Sequence, residues 1–276
     1  MLEGSLREVE DLKARIWEKK GMKMNEIRIE RITKYYGEKA VLRSVSMRLP
    51  PGGRVCLMGP SGSGKTTLFR ILMGLETADE GEITVLGRDI AGREPQEGNA
   101  ATREGYAGGI VVRGLPEGNA SALRNARDRI RAERRRPDWR IGAVFQEDRL
   151  LEELTAVENV RLAAEPAWDD ARISRELLRI LPEEALRKPV KEQSGGMKRR
   201  IALARAVLAP ADLLLLDEPF TGLDEETKRN VIRWLLEKQG ERTLLFSSHQ
   251  EEDALLAGAD VVSLPDLSAS MKRVPE

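Results

Sequence analysis

Three stretches of the chain combine residue types and spacings that can do chemistry on a phosphate. Gly59-Pro60-Ser61-Gly62-Ser63-Gly64-Lys65-Thr66-Thr67 satisfies the pattern GxxxxGK[ST] in full. Its glycines let successive backbone N–H groups turn inward on phosphate oxygens, and a helix opening near Lys65 adds the positive end of its dipole. Lys65 is then placed to reach the β- and γ-phosphates, and Thr66 to ligate magnesium. Leu213-Leu-Leu-Leu runs directly into Asp217 and Glu218. Four aliphatics make a buried strand that delivers Asp217 to a sheet's carboxyl edge, where it can hold Mg²⁺ through water. Glu218, pointing elsewhere, can polarise an attacking water, a role worth on the order of 10²–10⁴ in rate. Ser194-Gly195-Gly196, ahead of Ile201-Ala-Leu-Ala-Arg-Ala, supplies a second anion-binding surface at a helix N-terminus. Taken singly, the acid pair also reads as carboxylates favoured at a helix start, and Ser-Gly-Gly as an N-cap with a flexible lead-in. Together with a complete phosphate loop, they suggest one nucleotide contacted from two sides.

These residues need elements to position them. Arg54-Val-Cys-Leu-Met is a buried strand before the phosphate loop, and Leu68-Phe-Arg-Ile-Leu-Met a helix after it, the order such a loop requires. Alternating apolar and charged residues from Asn25 to Ile32 predict a half-buried strand. Residues 82–86, Arg140–Phe145, Leu213–Leu216 and Thr243–Ser247 predict further strands. Thr155 and Glu158 stand at capping-box spacing and open a helix through Asn159, Val160 and Leu162. More helix is expected around 169–181, from Gly196 to Leu208 and over 224–239. Strands alternating with helices predict an α/β fold with a mainly parallel sheet, from which the helical block 150–208 should stand apart as a separate lobe. Residues 2–20 carry apolar side chains three or four apart, an amphipathic helix ended by Gly21 and lying ahead of the domain. Residues 91–138 fit neither period. They hold Glu-Gly-Asn-Ala twice, at 97–100 and 117–120, too short to be a repeat, then seven arginines between Arg124 and Arg136. Such a patch suits either a solvated excursion or contact with anionic lipid or an acidic partner.

Composition narrows the classes. The 276 residues include 46 basic and 46 acidic side chains, which argues against a globally basic nucleic-acid binder. One cysteine excludes an internal disulfide framework, and one histidine, His249, excludes a two-histidine metal site. No apolar stretch approaches the roughly 18 residues of a spanning helix, and the charged N-terminus does not resemble a secretory signal. The expectation is a soluble chain in the cytoplasm.

The motifs together resemble the ATP-binding subunit of ABC transporters. Phosphate loop, glutamine loop (Phe145-Gln146-Glu147), signature (Gln193-Ser-Gly-Gly-Met), Asp-Glu strand, D-loop (Gly222-Leu-Asp224) and switch histidine (Ser248-His249) follow one another in family order over about residues 25–265. The resemblance implies a P-loop NTPase core of RecA-like type with a mainly parallel sheet, an antiparallel β portion and an inserted α-helical subdomain. It implies extensions at 1–24 and 266–276 and an unusual insert at 91–138. It also implies a head-to-tail dimer, of identical or paired cassettes, with two ATPs between the phosphate loop of one protomer and the signature of the other. Residues 59–67 would bind phosphates, with Thr66 and Gln146 sharing the magnesium and Asp217 supporting it. Glu218 would be the base and His249 the γ-phosphate contact. Ser194, Gly195, Gly196 and Asp224 would serve the paired state, and Tyr36 would lie against adenine, with Tyr35 as the alternative. Gln193 departs from the family's leucine, Met197 from its commoner glutamine and Gln250 from its frequent acid. The implied partners are a membrane permease docking beside Gln146–Leu151 and possibly a solute-binding protein, which would hold the chain at the cytoplasmic face. Motif flavour resembles the nitrate, sulfonate and taurine importer branch. A non-transport ATPase of the same family, for example in cluster assembly, is the alternative.

Overall fold

The computed structural model describes residues 26–86, 140–165 and 167–264. The helix expected over 2–20, the insert 91–138 and the tail 266–276 lie outside the described residues.

Two sheets form the framework. Strands β1 (Glu26–Tyr36) and β2 (Lys39–Leu49) make an antiparallel hairpin that turns at Gly37 with φ 60°. The loop and helix α1 (Lys65–Leu72) follow β3 (Arg54–Met58). Strand β4 (Glu80–Leu86) then pairs antiparallel with β1, giving the order β2-β1-β4. Only the first part of β1 was legible from its alternation. The strand continues to Tyr36 because register shifts after Ile29 and after Ile32 let both Ile32 and Thr33 be buried. Strand β2 was not read from its own residues, although it belongs to the antiparallel portion that the resemblance implied. Its buried positions, Leu42, Val45, Met47 and Leu49, change spacing midway and so break strict period two.

The second sheet is wholly parallel. Its strands are β5 (Ile141–Val144), β6 (Leu213–Leu216), β7 (Thr243–Ser247) and β8 (Asp260–Ser263), which join β3 in the order β5-β6-β7-β3-β8. Parallel strands covered on both faces need apolar side chains at every position, which explains the aliphatic runs. Leu213, Leu215, Leu245, Val55 and Leu57 face a cluster shared with α1 and the antiparallel sheet. Their sequence neighbours Leu214, Leu216, Leu244, Phe246 and Cys56 face the opposite cluster, with the remaining helices.

Those helices are α2 (Ala156–Arg161), α3 (Asp170–Leu177), α4 (Glu183–Arg187), α5 (Gly195–Leu208), α6 (Glu225–Gln239) and α7 (Glu251–Ala257). The capping box at α2 is present as read: Thr155 Oγ1 accepts from the Glu158 amide, and Glu158 accepts from the Thr155 amide at 2.8 Å. The helix expected over 169–181 ends at Leu177, and Pro182 opens the next one. The helical block 150–208 is joined to the sheet by a common core. Val160, Ile173 and Leu177 belong to the same apolar cluster as Leu214 and Phe246, because α5 runs from the helical block onto the sheet. Among the described residues no helix is long and apolar enough to cross a membrane.

Candidate functional site

In a sheet buried on both faces, polar chemistry is confined to strand ends, and here one edge collects it. Gly59 follows β3 directly, Gln146 lies two residues beyond β5, Asp217 and Glu218 follow β6, and His249 lies two residues beyond β7. These four strands are neighbours, with Val144 level with Leu216, Leu216 with Phe246, and Leu57 with Ser247. Parallel register therefore brings together residues up to 190 positions apart.

Within the phosphate loop, Gly62 and Gly64 take φ values of 77° and 101°, which a side chain would strain. A Cβ on Gly64 would lie 2.7 Å from Leu42 Cδ2, so this glycine also allows the loop to close against β2. Lys65 is 5% exposed, and its ammonium donates to the carbonyls of Gly59 at 2.7 Å and Pro60 at 3.2 Å, beneath the loop. The buried Ser63 hydroxyl has no hydrogen-bond partner, and nothing lies within 4 Å of a Cβ built on Gly62.

A chain of contacts then crosses the edge. Thr66 Oγ1 donates to Asp217 Oδ2 at 2.8 Å, joining the end of the phosphate loop to β6. The Ser247 hydroxyl donates to Asp217 Oδ1 at 2.6 Å and accepts from the Glu218 amide at 2.9 Å. It thus holds both acids, although sequence reading had passed over it. Glu218 has φ 48°, a left-handed conformation uncommon for a residue with a side chain and one that clusters at functional sites. Its Oε1 lies 2.5 Å from His249 Nε2. The two residues expected to act on the same phosphate are thus in direct contact.

The Gln146 side chain is exposed, but its backbone is clamped. Arg199, on α5, donates to the carbonyls of Phe145 and Gln146, both at 2.7 Å, and pairs with Asp148 at 3.0 Å. Burial pushes the Asp148 carboxyl above its ordinary range, opposed by Arg199, Lys198 and Arg205. Tyr36 is 48% exposed, its hydroxyl donating to Glu76 and its ring 5.7 Å from the Lys34 ammonium. Burial and Glu76 raise its phenol, while Thr67, at the end of the phosphate loop, acts to lower it.

The signature is placed elsewhere. Ser194 caps α5 by accepting from the Met197 amide at 3.3 Å. Among the described residues no hydrogen bond or ion pair links Ser194–Gly196 to residues 59–67. Gly196 lies instead against the D-loop, where its Cβ would be 3.4 Å from the Gly222 carbonyl. Asp224 caps α6 by accepting from Thr227 at 2.9 Å, and that backbone bond holds its carboxyl below the ordinary range. The departure at Gln193 has a structural reason. The side chain is buried, and its amide donates to the carbonyls of Ala185 and Lys188, pegging the signature to α4.

These residues fit a nucleoside triphosphate with magnesium. The loop offers open space above Gly62, an unpartnered Ser63 hydroxyl and the Lys65 cation. Among the described residues no cluster of three or more His, Cys, Asp or Glu could cage a metal. Thr66, Asp217 and the Gln146 loop instead offer the sparse oxygen set that suits magnesium sharing its sphere with phosphates and water.

Comparisons with known proteins agree with this geometry. The family model described as ABC transporter matches residues 42–221. A sulfate/thiosulfate import ATP-binding protein of Vibrio vulnificus (strain CMCP6) is 32% identical over 248 residues, which cover 86% of this chain and 60% of that protein. An uncharacterized ABC transporter ATP-binding protein of Bacillus subtilis (strain 168) is 32% identical over 77% of this chain and 31% of its own length. The chain spans 53–62% of the length of the sulfate/thiosulfate relatives. A bacterial ABC transporter cassette solved as a dimer superposes with a TM-score of 0.60 at 24% identity, covering 86% of this chain and 94% of that one. An ATP-bound exporter chain superposes with a TM-score of 0.61 at 20% identity, covering 92% and 43%. At these identities the two structures speak for the fold alone. The matched span runs from β2 through the phosphate loop to the Asp217-Glu218 edge, and on that span this chain belongs to the ABC transporter ATP-binding family.

Proposed function

We propose that this chain binds ATP with magnesium, hydrolyses it within a pair of cassettes, and drives a separate membrane permease that imports a small anion. The observation that carries the reading is the unbroken series Thr66–Asp217–Ser247–Glu218–His249 beside the Lys65 loop. Lys65 and the loop amides bind the phosphates, while Thr66, Gln146 and Asp217 would hold magnesium, which would supply neutralisation of phosphate charge. Glu218 takes the proton of the attacking water, and His249 orients Glu218 and reaches the γ-phosphate. Tyr36 stacks on the base, contributing about 1–3 kcal/mol by analogy with base–aromatic contacts. Ser194, Gly195, Gly196 and Asp224 serve the partner's nucleotide, in keeping with their separation from this protomer's own phosphate loop.

Coupling to a permease is supported by the surface beside the Gln146 loop. Leu151, five residues after Gln146, is 52% exposed, and Asn159 on α2 accepts from its amide at 2.9 Å and donates to its carbonyl at 3.0 Å, holding this apolar side chain's backbone in place. Transport of a sulfate-like anion is supported by the relatives being sulfate/thiosulfate import ATP-binding proteins. The nitrate, sulfonate or taurine flavour of the motifs falls in the same chemical class of small oxyanions.

The test is to purify a tagged Glu218→Gln chain from solubilised membranes in the presence of ATP. The expected result is an ATP-bound pair of cassettes in stoichiometric complex with an integral membrane protein. Hydrolysis at the unsubstituted rate would remove Glu218 as the base. A soluble stoichiometric partner in place of a membrane protein would turn the reading to a non-transport ATPase.

A further inference from the structure

Behind the switch histidine lies a buried charged group that no step above uses. Lys228, on α6, is 2% exposed, and three side-chain oxygens surround its ammonium: Glu225 Oε1 at 3.1 Å, Asp253 Oδ1 at 3.1 Å, and Gln250 Oε1. The contacts with Glu225 and Gln250 are hydrogen bonds and that with Asp253 is an ion pair, so this buried cation is partnered from both α6 and the segment around α7. Asp253, on α7, is 4% exposed and also accepts from the Ser248 hydroxyl at 2.6 Å. That same hydroxyl accepts from the Gln250 amide at 3.0 Å. Ser248 and Gln250 are the residues on either side of His249.

Four consecutive residues are therefore tethered in opposite directions. Ser247 binds Asp217 and Glu218, and His249 meets Glu218, on the nucleotide side. Ser248 and Gln250 are held from behind by Asp253 and Lys228. Desolvating two charges is costly, so a pair of this kind is weak support for stability and better understood as a device for specific geometry. Lys228 also lies one turn along α6 from Asp224, whose carbonyl accepts the Lys228 amide at 2.8 Å. The site thus has a covalent helix turn at one end and the histidine at the other.

We infer that Lys228 and Asp253 are positioning residues for His249, a buried strut that fixes the peptide on both sides of the histidine and ties it to the D-loop end of α6. The inference rests on the proposed role of His249 in hydrolysis. Without the strut the histidine keeps its ring chemistry and loses the fixed direction from which it meets Glu218.

His249 is the sole histidine of the chain, so a proton–carbon NMR spectrum of its ring reports this one site without assignment. Two variants share the test on the full chain. Lys228→Met with Asp253→Asn removes both charges together, leaving neither buried alone and keeping an acceptor for Ser248. Gln250→Ala cuts only the exposed link and leaves the ion pair in place. In both, the ring signals are expected to shift or broaden, and kcat is expected to fall about 10-fold or more while KM for ATP stays within about 2-fold. Lys228→Arg, which keeps the cation, is expected to stay near the unsubstituted kcat. Unmoved ring signals with unchanged kcat in the folded double variant overturn the inference. The same outcome in Gln250→Ala overturns it if the double variant does not fold. A His249→Ala control separates the two readings. If it hydrolyses ATP at the full rate, the role of the histidine fails. If it is impaired while the strut variants are not, only the strut fails.

Discussion

Substituting Gly195 by alanine should move stability and activity in opposite directions. Gly195 is the first residue of α5, its φ lies outside the left-handed range, and nothing lies within 4 Å of a Cβ built on it. An alanine therefore fits without strain and restricts the unfolded chain, a stabilisation of about 0.4–1 kcal/mol. For a domain of this size that corresponds to a rise of roughly 1–4 °C in Tm. If Ser194–Gly196 meets the partner's phosphates, the same methyl stands where a phosphate oxygen must come within hydrogen-bond distance of the helix's free amides. Loss of one such donor costs about 10²–10³ in rate. ATP affinity of the isolated protomer should not change, since no bond links Gly195 to residues 59–67 among the described residues. Thermal melts, nucleotide titration and phosphate release as a function of protein concentration separate these three quantities. A kcat within 2-fold of the original would refute the assignment of the signature to a phosphate. A fall in Tm would refute the open geometry at Gly195.

Three further outcomes follow from single contacts. Lys65→Ala removes a cation within reach of the phosphates, and the loss of a charged hydrogen bond of about 1.5–3 kcal/mol should weaken ATP binding by about 10- to 150-fold, read by calorimetry; undiminished affinity contradicts the phosphate-loop assignment. Cys56 is fully buried, and burial pushes its thiol up to about 12, with Asp253 adding to the effect, so the folded protein should resist alkylation until it opens, and labelling should follow denaturant unfolding. Because that value is raised above the ordinary 9.0, the thiol's contribution to stability is complete below pH 9 and is lost as pH rises from there towards about 12; rapid modification at pH 8 would place Cys56 outside the core. Gly81→Ala sets a Cβ 2.4 Å from the Arg31 carbonyl oxygen and 2.5 Å from that of Glu30, at φ 96°, and should cost about 2 kcal/mol or more in urea unfolding; an unchanged midpoint would contradict the register of β1 with β4.

Legibility in the sequence followed the distance over which a residue's role is decided. The phosphate loop, the capping box at Thr155 and Glu158, and the aliphatic run before Asp217 are settled within a few residues, and each was found where it was read. Strand β2 was not read from its own residues because irregular pairing with β1 breaks the alternation that identifies a strand. The helical block was recognised as helix, but its shared core with the sheet depends on which face of α5 meets β5, and periodicity does not name a partner. Arg199, Ser247, Lys228 and Asp253 act on groups 22 to 54 positions away or across several elements, and in sequence each resembles an ordinary polar residue of a helix or strand end.

One signal could have found Ser247. A parallel strand buried on both faces tolerates only apolar side chains along its length, so a hydroxyl closing such a strand needs a polar partner at the sheet's edge. Thr243-Leu-Leu-Phe-Ser247 ends in that way, two residues before the sole histidine, just as Leu213–Leu216 ends before the two acids. Adjacent β6 and β7 place Ser247 level with Asp217, and its hydroxyl both donates to Asp217 and accepts from Glu218. Ser247→Ala leaves the strand apolar and removes that single bridge. Its effect should therefore appear in the geometry of the two acids and in kcat, with little change in the packing around Phe246.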